Sequence, residues 1–289
     1  LQKKYYFSII TLFLIIFSPL LFSNLNSSGA SYNISPENMI IHFIDVGQGD
    51  SILIQVNNKN LLIDAGPIDE KEKLLDYLSS LKINKFDYII ATHPHEDHIG
   101  NMACIIDKYD VLKFYAPKVT NNTKSFETMT ESLIRNNLKI NVLKADINSI
   151  FLGKNTKTEV FSPASDSYEN INNYSPIIKI THGENTFLFT GDAEEIAEKE
   201  VINSGYNLKA DLLKIGHHGS SSSTSKEFFS KVDPYISVIS AGENNNYGHP
   251  TKEVLERIKD TKVFRTDLKG TIVIISDGKS LKMIDAPKN

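Results

Sequence analysis

Apolar and polar positions alternate in two rounds along this chain. From Met39 the runs MIIHFIDVG, SILIQV and LLIDAG are short, apolar and broken by Gly, Asn and Asp, with Asn57-Asn58-Lys59-Asn60 as the turn between the second and third. Runs of this kind predict buried strands joined by tight turns. Leu74, Leu75, Leu78 and Leu81 then recur at helical spacing, which predicts a helix over 70–81, and FDYIIATH returns to a buried strand. The middle third predicts strands at VLKFYAP, INVLKA and TEVFSP and a helix over 125–137. In the second round PIIKITHGENTFLFTGD predicts a hairpin turning at Gly183-Glu184-Asn185, 193–204 a helix, and DLLKIG, YISVIS, KVFRT and GTIVIIS strands. PTKEVLERIK predicts a helix whose N-cap lies just before Pro250. Strands separated by helices in both rounds predict an α/β fold of αββα layering, two sheets packed face to face with helices outside. Ser220–Ser225 is a low-complexity patch that reads as a flexible loop.

One apolar stretch does not fit this alternation. Tyr5 to Phe22 is almost purely apolar, follows Lys3 and Lys4, and precedes Ser28-Gly29-Ala30, a small-x-small sequence. Residues 1–30 therefore read as a signal peptide or an N-terminal membrane anchor, since a run near 20 apolar residues also suffices to span a bilayer. Either form predicts that residues 39–289, the expected hydrolase domain, work outside the cytoplasmic membrane, secreted or anchored on its outer face. The uncleaved form would associate with the membrane through residues 5–22.

Composition narrows the chemistry. With 40% hydrophobic residues the chain is neither polytopic nor disordered. A single cysteine, Cys104, excludes an internal disulfide and any Cys-rich metal site, so a bound metal must be held by imidazole and carboxylate. Residues 1–30 carry two lysines and no acid, so without them the net charge moves from −4 to −6. Such a domain is not a bulk electrostatic binder of nucleic acid, and any phosphate recognition must be local.

The strand FDYIIA ends in Thr92-His93-Pro94-His95-Glu96-Asp97-His98-Ile99-Gly100. A lone histidine is usually a satisfied surface or core residue, but three histidines and an aspartate within six residues point to metal ligation. His93 and His95 would project to one side of an extended loop stiffened by Pro94, with Asp97 and His98 opening a following helix. That arrangement offers two ligand pairs for two adjacent ions, in a donor set suited to zinc or a similar transition metal. His42 alternates with apolar neighbours and reads as a strand histidine. His249, in the loop Asn244–Pro250 after YISVIS, is a candidate active-site residue, with helix capping as the plainer alternative.

THPHEDH resembles the HxHxDH signature of the metallo-β-lactamase fold. Other pieces recur in order: LLIDAG with Asp64, FTGD with Asp192, and KIGHHGS with His217 and His218. DVGQGDS at 45–51, GDAEE, LLKIGHHGS and YGHP together resemble the extracellular hydrolase domain of the competence protein ComEC. Secreted hydrolases such as phosphorylcholine esterases carry related motifs. The resemblance covers residues 39–280 and does not reach the channel region of ComEC. It implies the αββα metallo-β-lactamase sandwich, two mixed sheets. It also implies two divalent ions, zinc with manganese as the alternative. His93 and His95 would bind one ion, Asp97 and His98 the other, and Asp192 would bridge them. Asp64 would orient a ligand imidazole. The HHG motif would supply one more ligand; of His217 and His218 the reading here is His218 as ligand and His217 as substrate contact. Many members of the superfamily have a further histidine between the HxHxDH motif and the bridging aspartate. Here only His182 lies in that interval, too remote in its hairpin, and Asn172-Asn173-Tyr174-Ser175 takes the place.

The expected activity is phosphodiester hydrolysis through a metal-bridging hydroxide, with Asp97, His217 and His249 as catalytic residues. Nucleic acid, single-stranded DNA first, and phosphocholine-type polymers are the expected substrates. An acyl hydrolase acting on lactones, lactams or thioesters is the enzymatic alternative, a non-enzymatic surface-binding module the other. No protein partner is expected.

Overall fold

The computed structural model describes residues 35–147 and 149–286. The export or anchor segment falls outside the described residues; among these, no helix is long and apolar enough to cross a membrane. The first round opens with β1 (Met39–Phe43), β2 (Ile52–Val56) and β3 (Lys59–Ile63). Asn57 and Asn58 both take positive φ, 53° and 58°, as a two-residue hairpin with right-handed strand twist requires, so Lys59 and Asn60 belong to β3 rather than to the turn. Then follow α1 (Lys71–Ser80), β4 (Lys85–Phe86), β5 (Tyr88–Ile90), α2 (Glu96–Ile99), α3 (Met102–Lys108), β6 (Asp110–Val111), β7 (Phe114–Ala116), α4 (Lys124–Arg135) and β8 (Ile140–Val142). The second round holds β9 (Thr156–Val160), β10 (Ile178–His182), β11 (Asn185–Phe189), α5 (Glu195–Asn203), β12 (Leu212–Lys214), α6 (Lys226–Val232), β13 (Ile236–Ile239), α7 (Lys252–Ile258), β14 (Lys262–Arg265), α8 (Thr266–Lys269), β15 (Ile272–Ser276) and β16 (Leu281–Ile284).

These strands form an eight-stranded sheet, β16-β15-β1-β2-β3-β5-β7-β8, and a six-stranded sheet, β14-β13-β12-β11-β10-β9, with β4 and β6 as a small ribbon. Both sheets are mixed. β3, β5, β7 and β8 run parallel, as do β11, β12, β13 and β14, while the remaining neighbours are antiparallel, β1 pairing with the distant β15. Parallel neighbours need crossovers, and α1, α2 with α3, α4, α5, α6 and α7 supply them. Three apolar clusters mark the layers. One lies between the sheets and includes Phe43, Ile54, Phe187 and Ile236; one packs α1, α3 and α4 on the first sheet; one packs α5, α6 and α7 on the second. This is the αββα sandwich, and it leaves the carboxyl ends of the parallel strands from both sheets free to carry a site.

Two details correct the sequence reading. The cap of α7 is Thr251, whose hydroxyl accepts from the Val254 N–H, so the N-cap lies after Pro250 and not before it. The Thr side chain offers the acceptor that the exposed first-turn N–H groups need. The short α3, α6 and β16 escape the apolar pattern, α6 because only Phe228 and Val232 mark its buried face.

Candidate metal centre

Four strand ends deliver the chemistry. After β3, Asp64 turns in the left-handed region at φ 59°. After β5 come Thr92 and His93, then the extended His95 that opens α2, whose first turn holds Asp97 and His98. After β11 comes Asp192, and after β12 His217 and His218. The two histidines are consecutive residues in the left-handed region, φ 47° and 54°, a conformation that costs roughly 1 kcal/mol or more each and concentrates at functional sites. The tight turn also needs Gly219, where a Cβ would lie 2.5 Å from Pro250 Cβ.

Asp192 Oδ2 is the hub. It lies 3.2 Å from His98 Nε2, 3.6 Å from the Nε2 of both His217 and His218, and 3.9 Å from His93 Nε2. Asp97 Oδ2 is 3.3 Å from His218 Nε2 and 3.8 Å from His98 Nε2. Donor atoms of Asp97, His98, Asp192 and His218 all lie within 4.8 Å of one another. His98 Nε2, His218 Nε2 and Asp192 Oδ1 are buried yet have no hydrogen-bond partner. Buried polar atoms are almost always paired. Unpaired lone pairs on three side chains, converging beside the Asp97 carboxylate, fit a divalent cation, and the imidazole and carboxylate donors are those such an ion accepts.

The outer partners fit as well. His98 Nδ1 meets Asp64 Oδ2 at 2.8 Å, and Asp64 also accepts from the Thr92 N–H (2.8 Å) and hydroxyl (2.7 Å). His218 Nδ1 donates to the Ser240 carbonyl at 3.0 Å. Each Nδ1 so fixed leaves Nε2 as the free donor atom. Burial alone would lower the His98 imidazole, but the carboxylates of Asp192, Asp97 and Asp64 outweigh it and hold His98 well above the ordinary histidine value. Burial would likewise raise Asp192, and His98 and His218 instead hold it well below the usual carboxylate range.

The first ligand pair is built differently. His93 is buried and its Nε2 lies 3.0 Å from Nδ1 of the half-buried His95. The segment that stands in place of a further histidine supplies support: Ser175 Oγ is 3.3 Å from His93 Nδ1 and accepts from the Asp192 N–H at 3.1 Å. Burial, followed by the His98 charge, lowers His93 well below its ordinary value. His182 is 4% exposed and bonded to Ser276 Oγ at 2.8 Å, outside this cluster, and His42 is a buried strand residue bonded to Tyr77 and Gln55.

His217 and His218 separate clearly in geometry. His218 belongs to the buried group of four. His217 is half-buried, with Nδ1 near Ser222 Oγ (3.3 Å), Asn172 Nδ2 (3.4 Å) and Glu194 Oε1 (3.5 Å). The His249 ring meets His217 edge to face at 5.6 Å between centroids, and its buried Nδ1 has no partner. His249 thus stands at the mouth of the cluster.

Several residues of this centre were not singled out from sequence. Asp50, in the Gly-rich stretch after β1, forms a buried ion pair with Lys214 at 3.0 Å, and its Oδ1 lies 3.6 Å from His218 Nδ1. Gly49 allows that approach, since a Cβ there would sit 2.3 Å from the Asp97 carbonyl oxygen. The serine-rich stretch is a loop, as read from the sequence, but one fastened by side chains from α5 and α7. Its Thr224 and Ser225 N–H groups already donate to the Glu198 carboxylate at 2.5 and 2.9 Å, and Arg257 bonds the Ser223 and Thr224 carbonyls. Burial pushes Glu198 up to about 7.

Comparison with known proteins follows this geometry. A model of the metallo-beta-lactamase superfamily matches residues 44–243. The chain is similar to ComE operon protein 3 of Bacillus subtilis, 33% identical over 80% of this chain and 32% of that protein. It is also similar to exodeoxyribonuclease YycJ of Bacillus anthracis, 34% identical over 34% of this chain and 36% of that protein. The chain spans about a third of the length of these relatives. Among solved structures, the metallo-beta-lactamase fold protein YhfI of B. subtilis superimposes with a TM-score of 0.56 at 15% identity, covering 82% of this chain and 100% of that one.

Proposed function

The chain belongs to the metallo-β-lactamase superfamily, in its ComEC-like branch, and from that premise we propose that it is an exported metal-dependent phosphodiesterase acting on nucleic acid. The observation that carries the reading is the convergence of His93, His98, His217 and His218 on one carboxylate oxygen of Asp192. Asp97, His98, Asp192 and His218 would hold a buried ion, and His93 and His95 together with Asp192 would hold a second, more open one. Zinc suits this donor set, with manganese as the alternative. When bound, two divalent ions lower the pKa of a coordinated water toward neutrality and offset charge on phosphoryl oxygens.

The chain's own groups do the remaining work. Asp64 and the Ser240 carbonyl hold His98 and His218 in the tautomers that leave Nε2 free. His217 Nε2 and His249 Nδ1, at the mouth, are the groups to pass a proton to the leaving oxygen. Burial, reinforced by the His217 and His218 charges, holds His249 below the ordinary histidine value, which makes its protonated form the stronger acid. The similarity to a named exodeoxyribonuclease supports nucleic acid as substrate. Export rests on the apolar run at 5–22.

The test is an Asp97→Ala, His98→Ala double variant assayed for bound metal and for hydrolysis of bis(p-nitrophenyl) phosphate and single-stranded DNA. Loss of the buried ion and a fall in turnover of about 1,000-fold or more is expected. Unchanged phosphodiester hydrolysis would sink the assignment, as would turnover confined to lactone or β-lactam substrates.

A further inference from the structure

Between Val111 and Ala145 an acidic chain turns basic: six Lys and Arg stand against two acids. Of these six, Lys124 and Arg135 are engaged by Glu127, Asp107 and Glu131. Lys118 and Lys144 are exposed and have no anionic partner among the described residues. Topology places them together. β5, β7 and β8 are parallel neighbours, so the residues after them line up along one end of the sheet. After β5 comes His93, after β7 Lys118, and after β8 Lys144. Adjacent strands lie about 4.8 Å apart, so the two ammonium groups extend the row of metal-centre residues sideways in strand-sized steps.

A cleft of about 400 Å³ opens there, lined by Lys118, Lys144, Pro163, Ser165 and Tyr174 among others, with Asp166 as its one acid. Its floor is tied across the two sheets by the Ala145 N–H donating to the Pro163 carbonyl at 2.9 Å. Pro163 and Tyr174 on its far wall adjoin Ser162 and Ser175 in the chain; Ser162 Oγ donates to the Ser175 carbonyl at 2.6 Å, and Ser175 Oγ lies 3.3 Å from His93 Nδ1. On the near wall the loop after Lys118 reaches the HxHxDH turn, where Asn121 Nδ2 donates to the Pro94 carbonyl at 2.9 Å. Tyr174 is half-buried and packs edge-on against Tyr168, which leaves an aromatic wall beside the two cations.

We propose that this cleft is a strand-binding groove adjoining the metal centre, in which Lys118 and Lys144 hold phosphates of single-stranded nucleic acid flanking the scissile one and Tyr174 presents a ring to a base. The proposal rests on the phosphodiesterase reading and deepens it. Cationic side chains along a groove with an aromatic platform are what sequence-tolerant single-strand binding requires. The volume is at the small end for ligand sites, a size that suits one unpaired nucleotide. It also gives a net acidic chain a local attraction for a polyanion beside the metal centre.

The experiment uses the metal-loaded protein and a fluorescent single-stranded oligonucleotide with a phosphorothioate backbone that resists cleavage. Anisotropy is read across a salt series for the wild type, Lys118→Ala, Lys144→Ala and the double variant. Expected is about a tenfold weaker affinity in the double variant and a salt slope shallower by about 1.4, roughly 0.7 for each lost phosphate contact. Lys→Arg replacements should restore both, and turnover of bis(p-nitrophenyl) phosphate, too small to reach the groove, should stay within about twofold of wild type. An unchanged slope and affinity in the double variant overturns the groove. So does a wild type that prefers a phosphocholine-bearing polymer over the oligonucleotide as competitor. Failure on the small diester would instead break the phosphodiesterase reading while anisotropy, which needs no turnover, still decides the groove.

Discussion

The two halves of the metal centre differ in how deeply they are built. Asp97, His98, Asp192 and His218 gather donor atoms within 4.8 Å, and behind them stand Asp64, the Ser240 carbonyl and the buried Asp50–Lys214 pair. The His93 and His95 half has one buried imidazole, one half-buried one, and the Ser175 hydroxyl as its support. Ligand count and outer hydrogen bonds both favour the first half. On the proposed ligand sets, one HxHxDH motif would serve two sites of unequal strength, because its second pair is joined by both Asp192 and His218 from the other sheet and its first pair by Asp192 alone.

The largest effect expected from this difference is in metal stoichiometry. Replacing His218 with Ala should weaken the tighter of two binding events by more than about 100-fold, beyond the cost of losing an outer partner alone. His95→Ala should leave that tight event in place and abolish the weaker one. Titration with a chromogenic zinc chelator as competitor reads both. Equal losses in the two variants would mean the halves are equivalent.

A smaller effect separates the outer supports. Asp64→Asn keeps the size of the group that holds His98 Nδ1 but changes its charge, and should cost about 10–100-fold in affinity for the tight ion. Ser175→Ala, which removes a neutral hydroxyl beside His93, should cost only several-fold at the weaker site, in line with a net hydrogen-bond worth of about 1 kcal/mol. Chelator competition at fixed pH compares them directly; a larger loss from Ser175→Ala would reverse the ranking of the two halves.

What was legible in the sequence follows the same divide. His93, His95, Asp97 and His98 could be read because their chemistry is contiguous and follows an apolar strand. Asp192 and His218 have no such local density, and only their resemblance to family motifs marked them. Asp50, Lys214 and Glu198 went unread for a physical reason: a charged residue in a Gly-rich turn, a strand end or an amphipathic helix looks like a solvated one. Nothing local reveals that a second sheet will bury it. The layered fold was legible because strands and helices alternate twice. The cap at Thr251 and the short α3, α6 and β16 were not, since tertiary packing rather than periodicity defines elements of four to seven residues.

The smallest effect at the metals concerns the loop that carries His218. Two backbone N–H groups of that loop are fastened by one carboxylate, Glu198, whereas the HxHxDH turn is held through several groups, among them the Asn121 amide on the Pro94 carbonyl and the Asp50 and Ala65 N–H groups on the Asp97 and His98 carbonyls. Glu198 is 1% exposed, and burial raises its carboxyl from 4.5 to about 7 despite those bonds and the nearby Arg257. The folded state therefore holds the proton more tightly than the unfolded chain does. Its stabilising contribution is full below about pH 4.5 and is lost as pH rises through about 7, a change of no more than about 3 kcal/mol. Glu198→Gln removes the titration and keeps an oxygen acceptor for one of the two N–H groups, since Thr224 and Ser225 bond different carboxylate oxygens. Relative to the wild type, the variant should gain stability in urea unfolding between pH 5 and pH 8, with both proteins at saturating metal so that the ligand histidines contribute equally. Metal affinity at pH 7 should change less than twofold or so, because the clamp acts through the loop backbone and touches no ligand. Parallel stability profiles for the two proteins across that range would show that Glu198 stays ionised and that its grip on the His218 loop does not depend on pH.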